Sequence, residues 1–174
     1  MTTTSPWMDR LFRPIDIASL ALFRVLFGAV MCAGTTRFLL SGWVDTLFVE
    51  PRHFLKYYGF AWVQPWPEWG MYVHYTAMAV AALFLSIGLF YRLSAIAFFL
   101  LFTYAQLIDI SNYLNHYYLV VLLAGLLIFL PADRAWSVDV WRRPEKRATE
   151  VPAWCVYLLR FQMGVVYSYA ALAK

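Results

Sequence analysis

Long apolar runs with few or no charges, separated by polar breaks, set the layout of the chain. The first follows Pro14-Ile15-Asp16, where Asp16 is placed to cap a helix start. It runs from about Ile17 to Arg37 and contains one charge, Arg24, which either snorkels to the near membrane face or has a buried partner. Between Glu68 and Arg92 lie 23 residues without a charged side chain, of which only His74 titrates near neutral pH. At 1.5 Å per residue such a run crosses a hydrocarbon core of about 30 Å. The Tyr91-Arg92 corner is a tight turn into a third run, 16 uncharged residues from Leu93 to Ile108, which ends at Asp109. A fourth run is stopped by Pro131-Ala132-Asp133, and a fifth extends from about Val151 to Lys174 and carries Arg160. The pattern predicts an all-α, polytopic transmembrane helix bundle of about five spans behind a polar N-terminal arm, residues 1–16.

Two stretches do not read as plain spans. Within the loop 39–69, Trp43, Val44, Leu47, Phe48, Phe54 and Leu55 alternate with Asp45, Glu50, Arg52 and Lys56. That mixture is too polar to cross a bilayer and too apolar to stand free in water. It reads as an interfacial amphipathic segment or a lid over a cavity. Pro65 and Pro67, around Trp66, then turn the chain back toward the bilayer. The second stretch is DISNYLNHYY, Asp109 to Tyr118, lying between two apolar runs. Asp109, Asn112 and His116 are spaced i, i+3 and i+7, so one continuous helix would carry all three on one face, with Asn115 beside His116. Polar groups at such depth are candidates for function.

Composition removes other classes. The chain is 63% hydrophobic and 14% charged, where a soluble domain carries about 25% charge, and its mean hydropathy is +0.61. Many Trp and Tyr residues fall at the edges of the runs, as interfacial belts require. The net charge of +4 does not point to nucleic acid, because five of the fourteen basic residues cluster in the 132–152 loop as an orientation signal. Eight basic residues flank the runs on that side (Arg10, Arg13, Arg92, Arg134, Arg142, Arg143, Lys146 and Arg147), against Arg37, Arg52 and Lys56 on the other. The N-terminus is therefore expected in the cytoplasm. The long loop, the 109–116 cluster and Lys174 then share the outer side. The first run has no small-residue cleavage site behind it and reads as a retained helix. Cys32 and Cys155 fall near opposite faces, too far apart to bridge. The three His and two Cys are too scattered to nominate a metal site, and no phosphate-binding loop is present.

Two groups remain that could carry chemistry. Arg160, Tyr167 and Lys174 recur every seven residues, so on a helix they share a face within about 40°, with Arg160 and Lys174 about 21 Å apart. A partly desolvated lysine at the rim of a cavity has a lowered pKa and can act as a base. Otherwise Lys174 snorkels and anchors its helix. His116 offers a proton carrier, and the Asn115 amide beside it can hold a quinol or carbonyl oxygen.

Five segments, in order, resemble the vitamin K-dependent γ-glutamyl carboxylase family, including its bacterial members with an HTTM domain. They are PIDIASLALFRVLFG, WGMYVHYTAMAVAALFLSIGLFYRLS, LIDISNYLNHYYL, WSVD and LLRFQMGVVYSYAALAK. The resemblance implies that residues 17–174 form an HTTM-like transmembrane domain, incomplete at its C-terminus. It implies a chemistry in which reduced vitamin K (the hydroquinone) reacts with O₂ to give a strong base and leaves as the 2,3-epoxide. The base takes a γ-proton from a protein glutamate, and the carbanion captures CO₂. Lys174 matches the second lysine of the family's lysine pair, the base for the hydroquinone, while the first is Ala173 here. Asn115 and His116 match the family's NH pair. Asp109, Asn112, Tyr167 and Arg160 are assigned to the surroundings of the cofactor, and no metal is expected. The expected partners are the lipid bilayer, a lipid-soluble naphthoquinol and a glutamate-containing protein substrate, in a bacterial inner membrane. The rival readings are a non-catalytic lipid- or partner-binding bundle and a quinone-linked oxidoreductase subunit. The second lacks paired histidines on facing spans to hold a haem.

Overall fold

The computed structural model describes residues 6–172, and a helix occupies each of the five predicted spans. In hydrocarbon an apolar run can satisfy its backbone only by hydrogen bonding to itself, and helix is how a single run does so. These helices are α2 (Ala18–Leu40), α3 (Glu68–Ile87), α4 (Tyr91–Ile108), α5 (Asn115–Phe129) and α7 (Trp154–Leu172), with short α1 (Pro6–Phe12) and α6 (Val138–Arg142) at their margins. Among the described residues, α2, α3 and α4 are long and apolar enough to cross a membrane. The protein is an all-α membrane bundle. Helix α5 has 15 residues, shorter than the fourth predicted span. The polar stretch before it is not helical throughout: Asp109 is extended, Ile110–Asn112 is one 3₁₀ turn, and Tyr113 and Leu114 are extended. Asp109, Asn112 and His116 therefore do not share one helix face. Local hydrogen bonding by Asp109 and Ser111 competes with helix here and wins.

Helix α3 packs between α2 and α4, α5 packs on α4, and α7 leans on α5 and α2. The α2–α3 crossing is close because Gly28 has no side chain. A Cβ there would meet Ser86 N at 2.5 Å and Ala82 O at 2.8 Å. Ser86 seals the crossing by donating to Val25 O at 2.9 Å. Such small-residue contacts drive helix association where water supplies no hydrophobic force.

The bundle has two dissimilar ends. One carries the 41–67 loop and the 109–114 junction. The other carries the α3–α4 turn and the basic 130–152 loop, and there the WSVD segment acts as a clasp. Gly88 ends α3 with φ of 69°, and Asp139 then caps α4, its carboxylate accepting from Phe90 N at 3.0 Å and Tyr91 N at 2.9 Å. The Asp139 amide in turn donates to Gly88 O at 3.0 Å. Ser137 accepts from Val140 N at 3.1 Å and starts α6. The Tyr91 hydroxyl reaches the carbonyls of Leu127 (2.5 Å) and Leu130 (3.1 Å), tying α4 to the end of α5.

Arg24 is sealed into this end at 0% exposure. Its Nη2 donates to Trp136 O at 2.5 Å, while Nε and Nη1 meet no partner among the described residues. Arg24 does not snorkel to solvent, and its partner is a backbone carbonyl, that of the exposed Trp136. The N-terminal arm is tied to the same end. Strand β1 (Pro14–Asp16) pairs antiparallel with β2 (Glu150–Pro152), Ile15 opposite Val151. Asp16 does serve the helix start, its Oδ1 accepting from Ala18 N at 2.7 Å. Cys32 and Cys155 are both free.

Candidate functional site

Where α2 and α4 part at the loop end, they leave a cavity of about 620 Å³, within the size range of small-molecule sites. Its α2 wall is Met31, Gly34, Thr35, Arg37 and Phe38; Tyr75 and Met78 of α3 stand behind. Phe102, Ala105 and Gln106 of α4 face α2, continued by Ser111, Asn112 and Leu114 of the junction and Tyr117 of α5. Trp43, Thr46, Leu47 and Phe48 close the cavity from the loop. The amphipathic segment is thus a lid, with a π-helical turn at Asp45–Val49. Six of these side chains are aromatic. Phe38 and Tyr75 stack in parallel, with centroids 4.7 Å apart and planes 2° from parallel. The Arg37 guanidinium lies 5.8 Å from the Trp43 ring, in cation–π range.

The lid is held by polar groups, not by packing alone. The Tyr72 hydroxyl donates to Asp45 Oδ2 at 2.7 Å, fastening the π-helical turn to α3. Farther along the loop, Lys56 Nζ donates to Val63 O (2.6 Å) and Ile108 O (2.8 Å). Asp109 Oδ1 accepts from Leu55 N (3.3 Å) and Ser111 N (2.9 Å). Ile110 N adds a bond to Leu55 O at 2.8 Å, and the Tyr104 hydroxyl donates to Gln64 O at 2.7 Å. Desolvation lowers the pKa of Lys56 below the ordinary lysine range, with Asp109 offsetting part of the shift. Lys56→Met removes the donor to both carbonyls, an expected local loss of about 1–3 kcal/mol. Chymotryptic cleavage after Tyr57 and Tyr58 should then run about tenfold faster, since 1.4 kcal/mol is a factor of ten. An unchanged digestion rate would mean that Lys56 does not hold the loop.

The residues picked from the sequence separate in space. Asn112 lines the cavity. Asp109 is buried beneath the loop and binds backbone amides. Asn115 and His116 open α5, exposed and outside the cavity wall. The His116 ring meets Tyr117, which is in the wall, edge-on at 4.6 Å. Arg160 and Tyr167 are exposed on α7, away from the cavity lining. Lys174 lies outside the described residues. His74 joins helices, its Nε2 lying 2.9 Å from Leu101 O. Among the described residues no cluster of His, Cys, Asp or Glu could hold a metal ion.

The family model for the HTTM domain matches residues 12–174. The chain belongs to the HTTM family. This domain is found in members of the vitamin K-dependent γ-glutamyl carboxylase family. No solved structure matches the chain. The match to the HTTM domain takes in every wall of the cavity.

Within the HTTM domain, sequence reasoning missed Thr35, Tyr75, Gln106 and Tyr117 as wall residues. Tyr75 shares a helix face with Met71 and Met78, and that pattern is ordinarily core. Thr35-Thr36 did carry a signal, a pair of hydroxyls inside an apolar run.

Proposed function

We propose that the protein is a membrane-embedded oxygenase of a reduced naphthoquinone of the vitamin K type. The observation that carries this reading is the cavity at the loop end, walled by six aromatic side chains and edged by the Asn112 amide and the Ser111 hydroxyl. A lipid-soluble bicyclic ring fits such a lining: apolar area accepts the ring, and a few polar groups take its oxygens. When bound, the hydroquinone supplies the oxygen chemistry: one atom of O₂ enters the 2,3-epoxide and the other leaves as water. Asn112 holds a ring oxygen. Asp109 and Lys56 act at one remove, keeping the lid and the Ser111–Asn112 turn in place and water out. Lys174 takes the hydroquinone proton, His116 at the start of α5 carries protons, and the Asn115 amide beside it holds a quinol or carbonyl oxygen. Arg160 and Tyr167 stand at the seven-residue spacing that Lys174 continues in the sequence, and they serve the surroundings of the cofactor. CO₂ and a protein glutamate complete the reaction wherever further chain or a partner supplies a peptide site. The loop end faces outward, with the N-terminus in the cytoplasm of a bacterial cell, as the distribution of basic residues supports.

A second reading, a non-catalytic lipid- or partner-binding bundle, is favoured by one observation: Asn115 and His116 stand outside the cavity wall. Membranes containing the protein, given vitamin K hydroquinone and O₂, separate the two. Epoxide should form, and Lys174→Ala should lower its rate by about 10²–10⁴-fold, the span of general acid–base catalysis. An unaltered rate in Lys174→Ala would remove the base assignment. No epoxide from folded protein would favour the non-catalytic bundle.

A further inference from the structure

The basic end of the bundle carries a second cleft, of about 540 Å³. It is lined by Ile17 and Ala18 at the start of α2, by Trp136 and Trp141, and by Arg147. Asp16 lines it too, with Oδ1 taken by Ala18 N. Backbone bonds hold these walls together: Ile17 N donates to Thr149 O at 3.1 Å, Ala148 N to Arg134 O at 3.0 Å and Arg147 N to Pro144 O at 3.0 Å.

Charge and aromatic surface meet at this cleft. The segment from Arg142 to Arg147 holds four basic residues and one acidic residue, Glu145. All four basic side chains are exposed. None is in an ion pair among the described residues, and Arg142 lies over the Phe90 ring at 5.2 Å. Beside them stand two bare indoles, Trp136 at 61% exposure and Trp141 at 82%. Trp136 holds φ of 50°, a conformation uncommon outside glycine, and the buried Arg24 fixes it by binding its carbonyl. Residues held in this way cluster at ligand sites. Short α1 is tied to the same end through the β1–β2 pairing and leaves Trp7, Met8 and Phe12 exposed. Indoles beside cations suit the headgroup layer of a bilayer better than water.

We propose that this cleft binds the phosphate of an anionic phospholipid headgroup, with Arg147 as the cation in its lining and Trp136 and Trp141 against the glycerol and upper acyl chains. The unpaired basic side chains set the sign of the ligand, since each Lys or Arg next to a bilayer adds attraction for anionic lipid. The indoles decide between a lipid and a free phosphate, because they offer apolar area that a free phosphate cannot use. The site is independent of the loop-end cavity and of what that cavity holds.

The probe is phosphatidylglycerol, with phosphatidylcholine of the same acyl chains as the zwitterionic control and glycerol 1-phosphate as the free phosphate. Binding to the full chain in neutral detergent micelles is read by native mass spectrometry, and the thermal midpoint is read alongside. Phosphatidylglycerol should bind at least about tenfold more tightly than phosphatidylcholine. It should also raise the midpoint, as any ligand of the native state does. Arg147→Gln should lower its affinity about fivefold, the size of one basic contact at a membrane surface. Arg147→Lys should keep most of it, and Trp141→Ala should lower it for both lipids. Arg52→Gln, an exposed arginine of the opposite end, should change nothing. Equal affinity for the two lipids overturns the proposal. Equal losses in Arg147→Gln and Arg52→Gln overturn it as well, since the attraction would then be diffuse. Displacement of phosphatidylglycerol by glycerol 1-phosphate overturns the lipid assignment in favour of a free phosphate.

Discussion

Replacing Gly88 by alanine is expected to destabilise the bundle by about 2–5 kcal/mol, the sum of two penalties of separate origin. The first is local. Gly88 holds φ of 69° as the left-handed residue that ends α3, a conformation a side chain disfavours. The second is tertiary. A Cβ at this position would collide with the Arg24 guanidinium and with the Ser137 side chain. Arg24 is fully buried, so its displacement would break the bond to Trp136 O and disturb the turn that Asp139 caps. Thermal unfolding in micelles checks this, with Gly164→Ala as the control. Gly164 lies inside α7, and a Cβ there meets nothing within 4 Å. The control should therefore be neutral or gain up to about 1 kcal/mol from better helix propensity. If Gly88→Ala behaved like the control, the tight packing at this end of the bundle would be wrong.

Gly34→Trp is expected to do the reverse: leave the fold intact and remove ligand binding. Gly34 lines the cavity and is itself exposed, and a Cβ built on it meets nothing within 4 Å. A large side chain can therefore be added without touching the backbone of a neighbour. Packed against the cavity wall, that side chain takes the space that an entering ring would occupy. Epoxide formation, or quinone binding by calorimetry, should fall by at least about a hundredfold, near 2.7 kcal/mol. The thermal midpoint should hold. Retained turnover at an unchanged midpoint would mean that ligand does not enter past α2.

The sequence disclosed the spans well and the cavity poorly, for physical reasons. Uncharged runs of span length specify helices almost by themselves, because hydrocarbon leaves an isolated run no other way to satisfy its backbone. The loop segment was legible as an interfacial stretch or a lid, because Trp43, Leu47 and Phe48 among Asp45 and Glu50 suit neither a span nor free water, and the cavity wall shows which residues of it face inward. The 109–116 cluster was found as a polar stretch, but periodicity alone cannot show that Asp109 prefers two backbone amides to a helix. That choice depends on Leu55, which lies 54 residues away. The pairing of β1 with β2 was invisible for the same reason, since three-residue strands carry no pattern of their own. Arg24 was recognised as needing a partner, and the partner proved to be the carbonyl of Trp136, which any residue type could have supplied. Thr35 and Tyr75 became notable only once the gap between α2 and α4 made them part of a cavity wall.

The central claim is that the loop-end cavity holds the naphthoquinol. Photolabelling tests it most directly: membranes containing the protein are irradiated with an azido-naphthoquinone, and the modified peptides are mapped by mass spectrometry. The account predicts label on Met31–Phe48, Tyr75–Met78 and Phe102–Tyr117, suppressed by excess vitamin K and by Gly34→Trp. Saturable label confined to α7 or to the basic end, with those cavity segments clean, would contradict it.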